Sequence, residues 1–365
     1  MRIALVITSL AVGGAQFATV RLANELAAKG HEITLIVLTK DLTLHPTIHP
    51  SVRLISFNRQ RSLHAVWPLV RTIRKKPRQV FIFSTADGAI IGLLASLLAA
   101  APPEKSVVWE HSLPPSHPSR LKLWFRRKAL AVLYPRAFAL VCPSHYTKSQ
   151  FESFPELDHM KIEVLPNPLQ PGLAITDVSV RSNLLSQGNQ LRLMAVGRLV
   201  ANKDFTTYLQ SVAELRKRGY NVDWRLYGDG PELNKLLRTA SDLNLDDAES
   251  RIITNRLTPF TDEFHPDVLV LTSISESASL VVVEAMAHGI QIVATRCGGP
   301  EEILHHGSLG RLVPIQRPLA VASAVEQAVR QSVPRQRLLE EAARHDPGNV
   351  AERWLSLLQQ TTTSS

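Results

Sequence analysis

The chain has 365 residues, 45% of them apolar, with 41 Lys and Arg against 32 Asp and Glu and a formal net charge of +9. That length and apolar content predict two domains with large buried cores and exclude a disordered chain. Two cysteines, Cys142 and Cys297, stand in separate halves without metal-ligand spacing, which excludes a disulfide scaffold and reads as two buried thiols of a reducing compartment.

The amino terminus, MRIALVITSL, has the apolar run of a short secretory signal. It alternates into a Gly-Gly loop without a cleavage pattern, however, and is read as a first strand near 3–8. Further strands are expected near 32–38, 53–57, 79–83, 106–109, 138–142 and 162–165, with helix-length segments between most of them. The longest apolar run, 89–101, is too short to span a bilayer and reads as a buried helix. Pro166, Pro168, Pro171 and Gly172 then open a strand-poor stretch with the composition of a hinge and linker. A second series of strands is expected near 191–196, 223–227, 251–254, 267–271, 291–295 and 312–314. This alternation gives an α/β class with two Rossmann-like, wound sheets.

Ligands of such sheets bind beyond the carboxyl ends of strands, so the loops there carry the chemistry. The first, SLAVGGAQ, holds Gly13 and Gly14, which allow backbone N–H groups to approach a ligand, although a glycine pair alone is more often a turn. His111 follows the strand SVVW with Glu110 and Ser112 beside it, a position where a lone histidine is usually a hydrogen-bonded surface residue. In the second series, Arg198 and Lys203 share one polar loop after LMAV; such cations are ordinarily solvated. The run YGDGPE reads as a strand end, a tight turn and a helix opening at Pro231. The stretch 267–302 reads as a βαβ unit: strand, small-residue loop, helix over about 280–287, a stop at Gly289, strand and Gly-rich turn. Glu276 lies in its loop and Glu284 on its helix. Asp242, Asp246 and Asp247 lie in a polar connecting segment rather than at a strand end, so metal dependence is not implied.

Glu276, Glu284, Ala285, Met286, Ala287, Gly289, Val293, Ala294, Thr295, Gly298, Gly299, Glu301 and Glu302 together resemble the signature of the family-four retaining glycosyltransferases of the GT-B fold. The Gly-Arg-Leu and Lys loop and the Gly-Asp-Gly-Pro run fall where that family has them. The resemblance implies two Rossmann-like domains facing each other across a cleft. An acceptor-binding domain would cover 1–168, a linker 169–190 and a nucleotide-sugar donor domain 191–348, with a C-terminal helix over 349–360 packing back on the first domain.

The resemblance also implies roles. Glu276 would touch the donor sugar, Glu284 the ribose hydroxyls, and Arg198 and Lys203 the diphosphate, in place of a metal and without a cofactor. Ser277, Ala278, Ser279, Leu280 and Gly228 would line the donor, which would be UDP- or GDP-linked. The Gly13–Gly14 loop would face acceptor and phosphates, and His111 would position the acceptor or the transferred sugar. The chemistry suits these jobs, because a carboxylate accepts two hydroxyl hydrogen bonds and a helix start offers N–H groups to an anion. There are two departures from the family pattern. Ser277-Ala278-Ser279 replace a Gly-aromatic-Gly run, where positive φ would be penalised, and the 251–264 segment is shorter than the usual base-contact loop, which leaves base recognition open. A catalytically degenerate nucleotide-sugar-binding protein and a same-fold nucleotide-sugar epimerase are the alternative readings.

Basic residues are concentrated in two acid-free stretches: seven in 59–78 (Arg59, Arg61, Arg71, Arg74, Lys75, Lys76, Arg78) and six in 119–136 (Arg120, Lys122, Arg126, Arg127, Lys128, Arg136). Their number exceeds the net +9, so the rest of the chain is net negative. Leu121, Trp124, Phe125 and Val132 fall on one helical face of the second stretch, the composition of an interfacial helix; the alternative is a solvated basic helix that packs this stripe on the core. No nucleic-acid motif accompanies the charge, so nucleic acid is not an expected partner. Lipid-linked acceptors in relatives imply instead an anionic membrane surface, touched by Trp124, Phe125, Arg126, Arg127 and Lys128. The expectation is a cytoplasmic hexosyltransferase, peripheral on the inner face of the cell membrane, acting on a hydroxyl of a lipid-linked or surface-polysaccharide acceptor.

Overall fold

A computed structural model of the chain describes residues 1–114, 120–170, 190–245, 251–254, 259–261 and 264–363. The chain divides into two compact units, Met1–Pro171 with His345–Ser365, and Gly172–Arg344.

In the first unit, β1 (Arg2–Ile7), β2 (Glu32–Thr39), β3 (Arg53–Arg59), β4 (Val80–Ser84), β5 (Ser106–Trp109), β6 (Ala139–Cys142) and β7 (Ile162–Val164) form a seven-stranded sheet of order β3-β2-β1-β4-β5-β6-β7. Every pairing in it is parallel. A parallel sheet is covered on both faces, which is why its strands read as continuous apolar runs; Ile3 to Ile7 are wholly buried. The connections are α1 (Gly14–Ala28), α2 (Val66–Lys75), α3 (Ala86–Ala99), α4 (Arg120–Leu133) and α5 (His145–Glu152). Strand order reverses at β1, so right-handed crossovers place α2 to α5 on one face and α1 on the other. The inward sides of α2 to α5 meet in one core, with Leu69, Ile91, Leu133 and Phe151 among its members.

In the second unit the elements are β8 (Gln190–Val196), α6 (Phe205–Lys217), β9 (Asn221–Tyr227), α7 (Leu233–Asp242), β10 (Ile252–Ile253), β11 (Val268–Leu271), α8 (Leu280–Ala287), β12 (Gln291–Thr295), α9 (Gly299–Ile303), β13 (Arg311–Val313), α10 (Pro318–Arg330) and α11 (Arg335–Ala343). The sheet is again parallel, in the order β10-β9-β8-β11-β12-β13. Both units therefore have the doubly wound α/β architecture expected from the sequence, with strand ends shifted by a residue or two.

The chain returns to the first unit at His345, ahead of the expected 349, because the returning segment is stitched to residues around the start of the linker. His345 Nδ1 contacts Asn167 O at 3.0 Å, and Leu169 N donates to His345 O at 2.9 Å. The last helix, α12 (Pro347–Thr363), begins before the expected 349. Asp346 caps it, accepting from Asn349 N at 3.0 Å, and Pro347 occupies the first helical position. Trp354 of α12 packs edge-on against Trp109 with ring centroids 4.9 Å apart, and Lys29 pairs with Glu352 at 2.7 Å. Of the expected linker 169–190, residues 171–189 lie outside the described residues, as do Asp246, Asp247 and parts of the 251–264 segment.

On α4 the alternative reading, a stripe packed on the core, fails for the described side chains. Trp124 and Val132 do not pack on the core but are exposed, and Leu130 and Leu133 make the core contact instead. The side chains of Leu121 and Phe125 lie outside the described residues. Both cysteines are buried and free, and burial pushes both thiols up, Cys297 to about 12.

Candidate functional site

In the second unit the loops after β8 and β11 are tied together by hydrogen bonds to backbone carbonyls. Ile274 N donates to Asn202 O and Asn202 Nδ2 to Ser275 O, each at 2.8 Å, and Thr272 Oγ1 donates to Lys203 O at 3.0 Å. This ladder delivers Lys203 to Glu276: Nζ donates to Oε1 in a short ion pair. The same oxygen accepts from Ser273 Oγ at 2.7 Å, and Ser273 is wholly buried, its carbonyl taking a bond from Thr295 Oγ1 at 2.5 Å. Neither bond to the carboxylate uses Oε2. An ammonium has three donors, so Lys203 can hold Glu276 and still reach an anion.

The backbone of Glu276 is fixed from the other side by the Gly-Gly turn. Glu276 N donates to Cys297 O at 2.8 Å and Gly299 N to Glu276 O at 2.9 Å. Gly298 has φ +105, which a side chain would strain, and a Cβ on Gly299 would overlap the Ser277 carbonyl. Ser277, Ala278 and Ser279 take no positive φ, so their departure from a Gly-aromatic-Gly run costs no backbone strain here. Ser279 precedes α8 in an extended conformation, φ −135, and Glu284 lies half-buried on that helix.

Gly228 has a packing role. A Cβ there would overlap the Gly197 carbonyl, and one on Gly230 would strike Leu199 O, because the two loops run against each other through Leu199 N to Asp229 O (2.8 Å) and Glu232 N to Leu199 O (3.0 Å). Arg198 lies between these contacts with its side chain exposed. A pocket of about 230 Å³ behind this loop, lined by Val200, Asp204, Phe205, Glu232 and Gln316, contains none of the expected donor residues.

In the first unit the centre of the corresponding sheet edge carries a neutral relay. Thr19 Oγ1 donates to Ala15 O at 2.8 Å, so its contact with Ser84 Oγ at 2.7 Å must use a Ser84 proton. Ser84 Oγ can then only accept from His111 Nε2, 3.0 Å away, which fixes the proton of His111 on Nε2. The ring also lies 4.3 Å from that of Trp109. Burial pushes His111 down to about 3, against a smaller opposing effect of a hydrogen bond with Asn167, so the imidazole is neutral at ordinary pH. Glu110 points to the opposite face of the sheet, as alternation along β5 requires. It is buried, takes a short hydrogen bond from Tyr134 Oη, and burial raises its carboxyl to about 7, the Tyr134 bond acting in the other direction.

Gly13 and Gly14 join β1 to α1 without positive φ, and a Cβ on Gly14 would meet nothing within 4 Å. Thr85 at the end of β4 does have φ +72, rare for a β-branched residue, and its hydroxyl lies 3.2 Å from that of Thr8. Of the α4 residues expected at a membrane, Arg126 pairs with Asp87 at 3.0 Å and Arg127 lies over the Phe154 ring at 5.0 Å. Among the described residues no group of three or more His, Cys, Asp or Glu could hold a metal ion.

Lys203 and Glu276 are thus brought together, with Ser277 to Leu280 beside them in sequence. Sequence reasoning missed Ser273, Thr19 and Ser84. The Ser-x-x-Glu spacing of Ser273 and Glu276 was a usable signal; the Thr19–Ser84 contact spans 65 positions and left none.

Comparison with known proteins bears on the family and the fold. A model described as Glycosyltransferase Family 4 matches residues 12–172 and one described as Glycosyl transferases group 1 matches residues 190–331. The chain belongs to the family-four glycosyltransferases of the GT-B fold. It is 33% identical over 153 residues to the lipopolysaccharide core biosynthesis glycosyltransferase LpsE of Rhizobium meliloti, which covers 40% of this chain and 42% of that one. It is 30% identical over 163 residues to the alpha-D-kanosaminyltransferase of Streptomyces kanamyceticus, covering 41% and 39%. The chain therefore spans about two fifths of the length of each of these relatives. An uncharacterized glycosyltransferase of Haemophilus influenzae is 26% identical over 82% of both chains. The fold is shared with Anabaena Alr3699/HepE, crystallised with UDP (TM-score 0.79, 20% identity, 99% of this chain and 100% of that one). It is shared too with a Thermosynechococcus elongatus sucrose-phosphate synthase (TM-score 0.80, 17% identity, all of both chains).

Proposed function

We propose that this protein transfers a hexosyl group from a UDP- or GDP-linked donor to a hydroxyl of a lipid-linked or surface-polysaccharide acceptor, with retention and without a metal. The observation that carries this reading is the Lys203–Glu276 pair, locked by Ser273 at the carboxyl edge of β11. The bond from the sugar anomeric carbon to the diphosphate breaks, the acceptor hydroxyl oxygen bonds to the same face, and its proton passes to the departing phosphate. Lys203 and the exposed Arg198 neutralise the diphosphate as charge develops, Glu276 Oε2 takes a sugar hydroxyl, and Glu284 takes the ribose. Neutral His111 serves as a hydrogen-bonding wall for sugar or acceptor, not as a charged acid. The reading includes peripheral attachment to the inner face of the cell membrane through α4, supported by the exposure of Trp124 and Lys128.

Thermal-shift screening with nucleotide sugars tests the core of the proposal. One nucleotide series should raise the melting temperature, and the same donor should turn over with a polyprenyl-linked or oligosaccharide acceptor. Stabilisation by no nucleotide sugar, or donor conversion without any acceptor, overturns it.

A further inference from the structure

The exposed large apolar side chains of the first unit are not scattered. Leu63, Trp67, Leu97, Leu98, Trp124 and Val132 all belong to α2 and the turn before it, α3 or α4; among the described residues Val12 alone lies elsewhere. These helices lie side by side on one face of the sheet, α3 touching both neighbours, and their inward sides share one core.

A helix on a sheet is expected to spend its apolar residues on the core. Helix α2 does so with Val66, Leu69, Val70 and Ile73, yet it also carries Trp67, 64% exposed, on the opposite side in line with exposed Arg71, Arg74 and Lys75. Helix α3 is apolar on nearly every side and ends in Leu97 and Leu98, 47% and 40% exposed. Arg74 Nη2 donates to Leu98 O at 2.8 Å, which sets a guanidinium at the margin of those leucines. Across α3, helix α4 presents Val132, 53% exposed, and Lys128. The outer face is therefore an apolar strip between two basic borders.

Exposed large apolar side chains gathered on one face in this way mark a contact site. A second copy of the chain would bring like charges together across a two-fold interface, and a nucleic acid has no use for a strip of leucines. A bilayer with anionic headgroups matches both features, since Arg and Lys meet the headgroups while Trp and Leu enter the boundary below them. We propose that the outer face of α2, α3 and α4 docks on an anionic lipid bilayer, with Trp67, Leu97 and Leu98 entering it and Arg71, Lys75 and Lys128 on the headgroups. This rests on the membrane-peripheral reading above and moves the contact from the start of α4 to α2 and α3.

The test is co-sedimentation of the full chain with phosphatidylglycerol-containing and with pure phosphatidylcholine vesicles. Three variants accompany it: Trp67→Ser with Leu97→Ser, Arg71→Ser with Lys75→Ser, and Arg126→Ser with Arg127→Ser. A retained thermal shift with the donor nucleotide verifies folding in each. The wild type should bind only the anionic vesicles, the basic pair should cost about thirtyfold, and the apolar pair roughly tenfold or more. Wild-type-like binding by both the Trp67/Leu97 and the Arg71/Lys75 variants, with loss confined to the Arg126/Arg127 variant, overturns this inference and leaves the membrane reading standing. Absence of wild-type binding to either vesicle, or preference for RNA over vesicles, overturns the inference and the membrane reading together; the transfer reaction is judged separately by donor turnover.

Discussion

The two sheet edges present opposite electrostatics on the same architecture. In the second unit the edge holds full charges, Lys203 paired with Glu276 and an exposed Arg198 on the same loop after β8. In the first unit its centre holds a neutral relay, Thr19 to Ser84 to His111, with the buried carboxyl of Glu110 turned to the opposite face of the sheet. A diphosphate needs cations that persist at every pH, whereas a hydroxyl acceptor needs donors and acceptors whose direction is fixed. Burial achieves the second by suppressing charge, and the depressed His111 and raised Glu110 are its trace.

The sharpest way to break the comparison is to discharge the second edge. Arg198→Ala and Lys203→Ala should each cost about 10²–10³ in turnover, as for other preorganised donors, while a chelator costs little; activity lost on chelation and regained with a divalent ion would reverse the assignment. Glu276→Ala should lower turnover and Glu284→Ala should weaken nucleotide binding, both measured by steady-state kinetics with donor titration. Unchanged values in both variants, with folding intact, would remove these carboxylates from the site.

Ser273→Ala should lower kcat about tenfold, the worth of a charge-assisted hydrogen bond, leave the donor KM nearly unchanged, and be rescued by Ser273→Thr. A donor KM rising as much as kcat falls would show that Ser273 supports binding rather than the carboxylate.

In the first unit the expected effects are smaller and depend on pH. Glu110 holds its proton to about pH 7 when folded but loses it near 4.5 when unfolded. Its favourable contribution is thus complete below 4.5 and lost as pH rises through 7. Glu110→Gln should therefore gain stability relative to wild type between pH 5 and pH 8, by roughly 1–3 kcal/mol, read from melting curves. A difference that does not vary with pH would exclude Glu110 as the titrating group.

Legibility followed range. Short apolar runs and period-3.6 patterns carry the α/β winding because they are local, and Gly289 marked the end of α8 through the same short-range logic: φ +70, with Ile290 N closing on Ala285 O at 3.0 Å. Lys203 and Glu276 lie 73 positions apart and could be paired only through a resemblance that supplied the long-range information. The Thr19–Ser84–His111 relay had no such help, because hydroxyls are ambiguous everywhere and acquire a direction only from neighbours. Trp67 went unread for the reverse reason: an apolar residue on an amphipathic helix is assigned to the core by default, and only the structure reveals that α2 has a second apolar position facing out.

The interlock of Gly197 with Gly228 and of Leu199 with Gly230 has a consequence for recombination. Two loops whose backbones touch at glycine cannot be exchanged singly, since a donor sequence with any side chain at 228 or a displaced carbonyl at 197 would force them apart. Chimaeras between this chain and a relative should keep activity when the segment from 197 to 232 is transplanted whole. They should lose it when the crossover falls between the two loops, so the loop pair rather than either motif is inherited as a unit.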